Sequence, residues 1–330
     1  MLQGSGQKIA FSDIIREFGR ANASGGGVSL GRYRVSETYG AMSNLPIDTG
    51  VPQSGQIAFS NFHGKQLNVV VNYYHGSDER RVLARNRYNN GPGNGRTNVI
   101  GGFRQKPGNS SGTRVILHVN HRIGSNRTSD PGGLTCAMRT GNWEGGTNLD
   151  LYVGGNGQIM GAGADGGKGG NRGRGCTSGK RANTGLGISY PLDIWNYGLI
   201  AGGGGGGGGG NGARNDSRRR RRWRRRKKKK RREGGGGGGG GQGFPGGQGG
   251  KGGGNRGRSG DNGSQGGPGS GGSAGRGTNG ARGGGFGQDG SNSSCGGGSK
   301  GRAIIIGSSG SHNFVVQGNI FGPIENHNPQ

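Results

Sequence analysis

The sequence predicts a mainly β and irregular fold, in which a small N-terminal unit and a β-rich middle region precede a bundle of polyglycine-II helices. Three observations predict it. Of the 330 residues, 90 are glycine and only 25% are hydrophobic. The apolar residues are concentrated in 1–160 and 186–200, and residues 201–302 carry almost none. Glycine recurs at every third position over much of the C-terminal half, and three residues per turn is the repeat of a polyproline-II-type helix.

The N-terminal unit, residues 1–65, contains an internal repeat. The stretch SGQKIAFSDI begins at Ser5, and SGQIAFSNF begins at Ser54. After the first copy, Ser12 and Asp13 are suited to cap a short helix. So few apolar side chains predict either a small irregular domain or a docking module that completes its core against a larger partner. The residues expected to serve docking are Ile9, Phe11, Ile14, Phe18, Ile57, Phe59 and Phe62.

The middle region, residues 66–160, reads as β structure. Asn68–Tyr74, Arg114–Val119 and Leu149–Val153 are β-branched or alternating, and clusters of Gly, Asn, Pro and Ser bound them. Such runs between turn-forming clusters predict short strands joined by turns.

A second internal repeat, G-x-I-x-G, occurs at residues 157–161, 198–202 and 318–322. Each copy follows a strand-like stretch, and the first two open directly into glycine tracts. We therefore expect strands to anchor the ends of the glycine segments. The last copy, within a C-terminal strand anchor at 303–324, is expected to bring the chain back to the same layer.

The glycine-rich region, residues 161–330, allows three interpretations. A bundle of polyglycine-II helices would use the bare glycine ridges for close approach, and hydrogen bonds between backbones would replace an apolar core. A flexible Gly/Ser linker is the second interpretation. A collagen-like trimer is the third, but such a helix normally contains abundant proline. Between residues 234 and 302 the sequence has only two prolines, Pro245 and Pro268.

Charge is concentrated in one run inside this region. The net charge is +28, and the basic run between Arg218 and Arg232 is flanked by the glycine tracts 202–210 and 234–241. At about 3.1 Å per residue, tracts of such similar length would form two legs of roughly 25–28 Å. Adjacent like charges repel and cannot be buried, so residues 211–233 are expected to form an apical loop.

The residues expected to contact a receptor or surface are those of the basic run: Arg218, Arg219, Arg220, Arg221, Arg222, Trp223, Arg224, Arg225, Arg226, Lys227, Lys228, Lys229, Lys230, Arg231 and Arg232. Their charge predicts an anionic partner. Lipopolysaccharide phosphates and acidic glycans are partners of this kind. Nucleic acid is the rival partner, since Arg-Gly steps such as 172–175 and 256–258 resemble RGG-type segments.

Other chemistry is not indicated. Cys136, Cys176 and Cys295 have no CxxC spacing, so free thiols are expected, with neither a disulfide framework nor a zinc site. His118 and His121 would face opposite sides of a strand, which disfavours a shared metal. No carboxylate pair, Walker motif or nucleophile elbow is present. The sequence therefore predicts neither an enzyme nor a cofactor-binding protein.

The N-terminal pattern resembles a known class of proteins. The stretch IAFSDIIREFG, followed by VSLGRYR and LPIDTGVPQSGQIAFSNFHGK (Ile9–Lys65), resembles the N-terminal segment of tail-fibre and baseplate-associated proteins of tailed bacteriophages. The plan of strands and glycine tracts is also similar to phage adhesins, in which polyglycine-II bundles occur at receptor-binding tips.

The resemblance implies a protein of the virion tail, made in the host cytoplasm and held by residues 1–65 to other tail or baseplate proteins. It also implies a homotrimer, because tail fibres usually are trimers. The resulting hypothesis is a fibre or adhesin tip that attaches to the host cell surface. The alternatives are an RGG-type nucleic-acid-binding protein and a passive architectural tail component.

Overall fold

The structure is a computed structural model of the chain. It describes residues 2–18, 29–34, 38–39, 42–43, 47, 50–52, 54–73, 78–89, 110–127, 133–171, 175–213, 233–254 and 256–329.

The N-terminal unit is a small cluster of short elements. Helix α1 spans Phe11–Phe18, and a carboxylate oxygen of Asp13 accepts a hydrogen bond from the Ala10 N–H at 2.9 Å. Two 3₁₀ helices span Leu30–Tyr33 and Phe59–Phe62, and the antiparallel strands β1 (Thr38–Tyr39) and β2 (Met42–Ser43) form a two-stranded sheet. The unit has an apolar core of its own, formed by Leu2, Ile14, Phe18, Tyr33, Ile47, Val51, Phe62 and Leu67.

Five groups of three strands follow. In chain order they are β3 (Asn68–Tyr73), β4 (Glu79–Arg80) and β5 (Val82–Leu83); β6 (Arg114–Val119), β7 (Arg122–Gly124) and β8 (Cys136–Arg139); β9 (Asn148–Val153), β10 (Gln158–Met160) and β11 (Thr184–Ile188); β12 (Leu192–Asn196), β13 (Leu199–Ala201) and β14 (Ile304–Ile306); and β15 (His312–Val316), β16 (Asn319–Phe321) and β17 (Ile324–Asn326). Helix α2 (Ala84–Asn89) follows β5 and packs against β3.

These strands form a three-sided parallel stack. The sheet orders are β15-β12-β9-β6-β3, β16-β13-β10-β7-β4 and β17-β14-β11-β8-β5, and every pairing within them is parallel. Each group of three strands is therefore one rung, which gives one strand to each sheet. Because β-strand side chains alternate between faces, Val69, Val71, Val115, Leu117 and Leu151 all enter the apolar core between the sheets.

Strands β3, β6 and β9 lie at the three stretches that read as β structure in the sequence. The three G-x-I-x-G copies form β10, β13 and β16, which are neighbours in one sheet with Ile159, Ile200 and Ile320 in register. The three sheets are not confined to the β-rich middle region expected at 66–160, since their strands come from residues 68–326. Periodicity along the chain did not reveal that β11, β14 and β17 would close a third side.

The glycine tracts leave the stack at a single corner. In each rung the chain passes at this corner from the sheet that contains β4 to the sheet that contains β5. In the first rung the link between the two strands is one residue, Arg81. In the third rung the same link is 161–183, and in the fourth it is 202–303. The strand ladder continues into these links: the Gly161 N–H donates to the Ala201 carbonyl at 2.9 Å, and the Gly202 N–H to the Phe321 carbonyl at 2.9 Å.

The links fold back and forth as straight segments. Ten segments can be followed in the described part of the chain, at 161–170, 177–183, 202–210, 234–242, 247–253, 257–264, 268–273, 277–284, 288–292 and 296–302. Every third amide of 164–170 donates to every third carbonyl of 204–210 at 2.8–3.0 Å, so these two run in the same direction. Amides of 204–210 donate to carbonyls of 236–242 at 2.7–2.9 Å in reverse order, so these two are antiparallel.

The expectation of free thiols was wrong for two of the three cysteines. Cys176 and Cys295 form a disulfide across 119 residues of sequence. Cys136 is buried in β8, and its thiol donates to the Leu134 carbonyl at 3.2 Å. Spacing along the chain gave no signal for this pair. Cys176 and Cys295 come directly before segments 177–183 and 296–302. They become neighbours because these two segments lie side by side, and the Gly179 N–H donates to the Gly296 carbonyl at 3.0 Å.

Candidate functional site

The candidate site lies at the end of the glycine segments that is remote from the sheets. Segment 202–210 leads away from β13, and segment 234–242 leads back. Every residue from Gly202 to Gly210 is buried, and so is every residue from Gly234 to Gly241. The sequence between these segments, 211–233, therefore begins and ends at the same remote end.

The two ends of 211–233 are side by side. A Cβ placed on Gly212 would lie 3.1 Å from the Glu233 carbonyl oxygen. The Asn211 carbonyl accepts from the Thr278 N–H at 2.9 Å, and the Asn211 side-chain oxygen accepts from the Cys176 N–H at 3.3 Å. Backbone and side-chain bonds therefore fix the point at which the chain leaves the glycine segments.

Glu233 holds the point at which the chain returns to the glycine segments. This carboxylate is only 6% exposed, and it faces Arg256 Nη1 at 3.9 Å and Arg276 Nε at 3.7 Å. Both arginines lie in neighbouring turns at the remote end. Because a buried carboxylate is costly without a compensating charge, the two guanidiniums make burial of Glu233 tolerable.

The disulfide lies next to the root of 211–233, the place where the chain leaves the glycine segments at Asn211 and returns to them at Glu233. Cys295 donates its N–H to the Gly209 carbonyl at 3.1 Å, one residue before the segment ends. Cys176 belongs to the turn that contacts Asn211. The disulfide therefore ties two turns that flank the exit of 211–233.

The predicted surface-contact residues lie outside the described residues. The structure describes neither the basic run, Arg218–Arg232, nor Trp223 within it, because 214–232 are not among the described ranges. It describes the root on both sides. Sequence analysis missed the root residues Asn211, Glu233, Arg256 and Arg276. The one available signal was Glu233, a single acidic residue between the basic run and a glycine tract.

The predicted docking residues differ in burial. Ile14, Phe18 and Phe62 are 0% exposed and pack in the core of the N-terminal unit. Ile9, Phe11 and Ile57 are half-buried at the edge of this core. Phe59 is 40% exposed, and its ring meets that of Phe11 edge to face at 5.9 Å between centroids.

No metal site or membrane span is found in the part of the chain that the structure describes. There, no three His, Cys, Asp or Glu side chains lie close enough together to hold a metal ion. None of the described helices has the length and apolar character needed to cross a membrane. His118 lies in β6 and is 5% exposed. Burial lowers the pKa of His118 to about 4, so the ring is neutral at pH 7.

Comparisons with known proteins identify the family. The family model of the phage tail fibre adhesin Gp38 matches residues 88–325. Among solved structures, the chain is similar to a chain of the crystal structure of the gp37–gp38 adhesin tip complex of the bacteriophage S16 long tail fiber. The identity is 22%, the TM-score is 0.44, and the match covers 83% of this chain and 89% of that chain. No curated protein matches.

The family match confirms the tail-fibre adhesin hypothesis. It begins at residue 88, after the Ile9–Lys65 motif, and it includes most of the stack and all the glycine segments. Since the matched range is most of the 330 residues, the chain belongs to the Gp38 family of phage tail fibre adhesins, proteins of the virion tail that attach the phage to its host.

Proposed function

We propose that this adhesin contacts the host cell through its basic run, displayed at the end of the glycine segments that is remote from the sheets. The observation that carries the proposal is the root of 211–233. The chain leaves at Asn211 and returns at Glu233, and a Cβ on Gly212 would lie 3.1 Å from the Glu233 carbonyl oxygen. Whatever conformation lies between, the segment 211–233, which contains the run, begins and ends at this position.

We further propose that the glycine segments are polyglycine-II helices packed as a bundle. Two observations support this: hydrogen bonds between segments recur at every third residue, and the glycine tracts are buried. Three residues per turn is the period of this helix type. Glycine loses more backbone entropy on folding than other residues. Hydrogen bonds that join one segment to several neighbours offset this loss and would hold the bundle rigid.

The ligand that best fits the basic run is an anionic bacterial surface, such as lipopolysaccharide phosphates or acidic glycans. The run contains ten arginines and four lysines. Each cation near an anionic surface contributes about 1 kcal/mol, so a few simultaneous contacts suffice for binding, and added salt should weaken them. Trp223 would add an aromatic face for a sugar ring. The role is binding and not catalysis.

The N-terminal unit is proposed to attach the adhesin to the tail. Phe11 and Phe59 form an aromatic pair at the surface of this unit, whereas Ile14, Phe18 and Phe62 support the pair from within. The similar solved structure is a complex of gp37 with gp38, which favours another tail fibre protein as the partner. Synthesis in the host cytoplasm and a homotrimeric state stay predictions, and a mass measurement in solution tests the second.

Deleting Arg218–Arg232 tests the surface contact. The control variant replaces the same residues with an equal number of Gly and Ser, which keeps the length of the loop and removes its charge. We expect phage carrying either variant to adsorb to host cells at least about tenfold more slowly, because the loss of a few cation contacts weakens binding by several kcal/mol.

Adsorption that is unchanged in both variants would contradict the proposal and favour a passive architectural role for the run. Wild-type protein that binds nucleic acid through the run but does not bind purified lipopolysaccharide would also contradict it. If adsorption falls after deletion and is normal in the Gly/Ser variant, loop length and not charge is what matters, and the cationic contact is wrong.

A further inference from the structure

A small cavity lies at the corner where the glycine segments leave the sheets. It has a volume of about 140 Å³, and the residues that line it include Arg127, Asp165, Lys180, Arg181 and Asn183. Asp165 and Lys180 belong to segments 161–170 and 177–183. The cavity is therefore close to the stack and far along the segments from the root of the basic run.

Two of these polar side chains, Asp165 and Asn183, already form hydrogen bonds within the protein. One Asp165 carboxylate oxygen accepts from Lys180 Nζ at 2.9 Å, and the other accepts from the Gln248 N–H at 2.9 Å. The Asn183 amide nitrogen donates to Ser125 Oγ at 3.2 Å and to the Asn126 carbonyl at 2.7 Å. Among the described residues that line the cavity, the one carboxylate, that of Asp165, is therefore paired with Lys180.

Two positive charges are left over. Within the described ranges of the chain, neither Arg127 nor Arg181 forms an ion pair with a carboxylate. Arg181 Nε is buried and has no hydrogen-bond partner among the described groups. A buried N–H without an acceptor is costly. The cavity is thus lined by two arginines, Arg127 and Arg181, that no carboxylate of the described residues neutralises.

We propose that this cavity binds one phosphate-type anion, held by Arg127 and Arg181. Guanidinium groups recognise phosphate through paired, charge-assisted hydrogen bonds. A volume of about 140 Å³ is several times the roughly 10–15 Å³ that one water molecule needs on the same measure, so a phosphate group fits. A phosphate monoester on a surface glycan and inorganic phosphate share this chemistry. The site is separate from the basic run, and it does not depend on the role proposed for that run.

Titration of the full chain with inorganic phosphate tests the site, with ³¹P NMR or calorimetry as the readout at physiological salt. The variants are Arg127→Gln and Arg181→Gln. The control, Lys168→Gln, removes the same charge from an exposed position on segment 161–170, outside the cavity lining. We expect saturable binding to the wild type, weakened at least about tenfold in each arginine variant and changed less than about twofold by Lys168→Gln.

Equal affinities of Arg127→Gln and Lys168→Gln would overturn the proposal, and so would the absence of saturable binding to the wild type. Arg127 is exposed, so its variant is expected to fold even if Arg181→Gln does not, and Arg127→Gln alone decides the matter. A competition arm distinguishes the two sources of phosphate. If intact lipopolysaccharide displaces inorganic phosphate and phosphatase-treated lipopolysaccharide does not, the ligand is borne by the glycan. If neither displaces it, the ligand is the free ion, and both results support an anion site.

Discussion

At the scale of single residues, the glycines of the central tracts are required by contact and not by backbone conformation. A Cβ added at Gly203, Gly206 or Gly209 would overlap the backbone carbonyl of a neighbouring segment. Backbone atoms cannot rotate away as a side chain can, so the whole neighbouring segment would have to shift. The same holds for Gly207, where the added atom would overlap the Ala281 carbonyl and lie 2.7 Å from the Arg282 carbonyl oxygen.

Gly207→Ala is therefore expected to destabilise the protein by about 1–3 kcal/mol or more, the usual cost of forcing extra volume into a close-packed interior. The control is Gly267→Ala, because a Cβ at Gly267 has no atom within 4 Å. Thermal melting of both variants measures the difference. Equal melting temperatures would show that the glycine tracts do not pack as described.

Burial of His118 makes a pH-dependent contribution to stability. The ring lies in β6 between Asn72 and Tyr152, with Nδ1 at 3.4 Å from the Asn72 side-chain oxygen and a ring-centroid separation of 5.3 Å to Tyr152. Its pKa falls from 6.5 to about 4 because the charged form is desolvated. Between these two values the unfolded chain binds a proton that the folded chain does not, so stability decreases as the pH is lowered through this window.

The wild type should lose about 2–3 kcal/mol more stability than His118→Gln between pH 7 and pH 4.5, since one pKa unit corresponds to about 1.4 kcal/mol. Chemical denaturation at both pH values provides the measurement. Comparing the two proteins cancels the contribution of the carboxylates, which both retain. Parallel losses of stability in the two proteins would refute a buried, neutral His118.

At the scale of elements, the number of neighbours explains the glycine pattern of a segment. Segment 202–210 donates hydrogen bonds to three neighbours and accepts from three more; these are 177–183, 234–242, 288–292, 161–170, 277–284 and 296–302. With six neighbours, each position faces a backbone, and all nine residues are glycine. Segment 161–170 bonds to four of the other segments, 177–183, 202–210, 234–242 and 247–253. It contains four non-glycine residues, of which Ala162, Asp165 and Lys168 recur at every third position. An unbroken glycine tract therefore indicates a central segment.

The disulfide connects two turns that sequence alone leaves far apart. Replacing Cys176 and Cys295 with Ser is expected to lower the free energy of unfolding by about 2–4 kcal/mol, since a link across 119 residues restricts the unfolded chain strongly. Reducing agent should lower the melting temperature of the wild type and leave that of the double variant unchanged. A wild type that melts identically with and without reducing agent would contradict the link.

The elements differ in how far the sequence predicts them. The strands β3, β6, β9 and β12 are predictable because their alternating apolar residues face one core. The alignment of β10, β13 and β16 follows from a repeat of five residues. Two-residue strands such as β4 and β5 carry no periodic signal. Which glycine segments are neighbours is likewise not encoded locally, because successive glycines are identical, and so the partner of Cys176 was not predictable either.

At the scale of the whole molecule, the chain separates three tasks. The three-sided stack supplies an apolar core that a chain with 25% hydrophobic residues can still fill. The glycine segments extend from one corner of this stack without needing further apolar side chains. The root of the basic run, at Asn211 and Glu233, lies at the remote end of the two central segments. We infer that this separation keeps the strongly charged run that follows Asn211 away from the core.

The central claim is that the two glycine tracts beside the basic run form a buried, hydrogen-bonded scaffold. Amide hydrogen exchange of the full chain tests it most directly, because exchange reports whether an N–H is bonded and excluded from water. The account predicts that amides of 202–210 and 234–241 are protected to the same degree as those of β9 and β12. Exchange of these glycine amides at the rate of an unstructured chain, with β9 and β12 still protected, would contradict it.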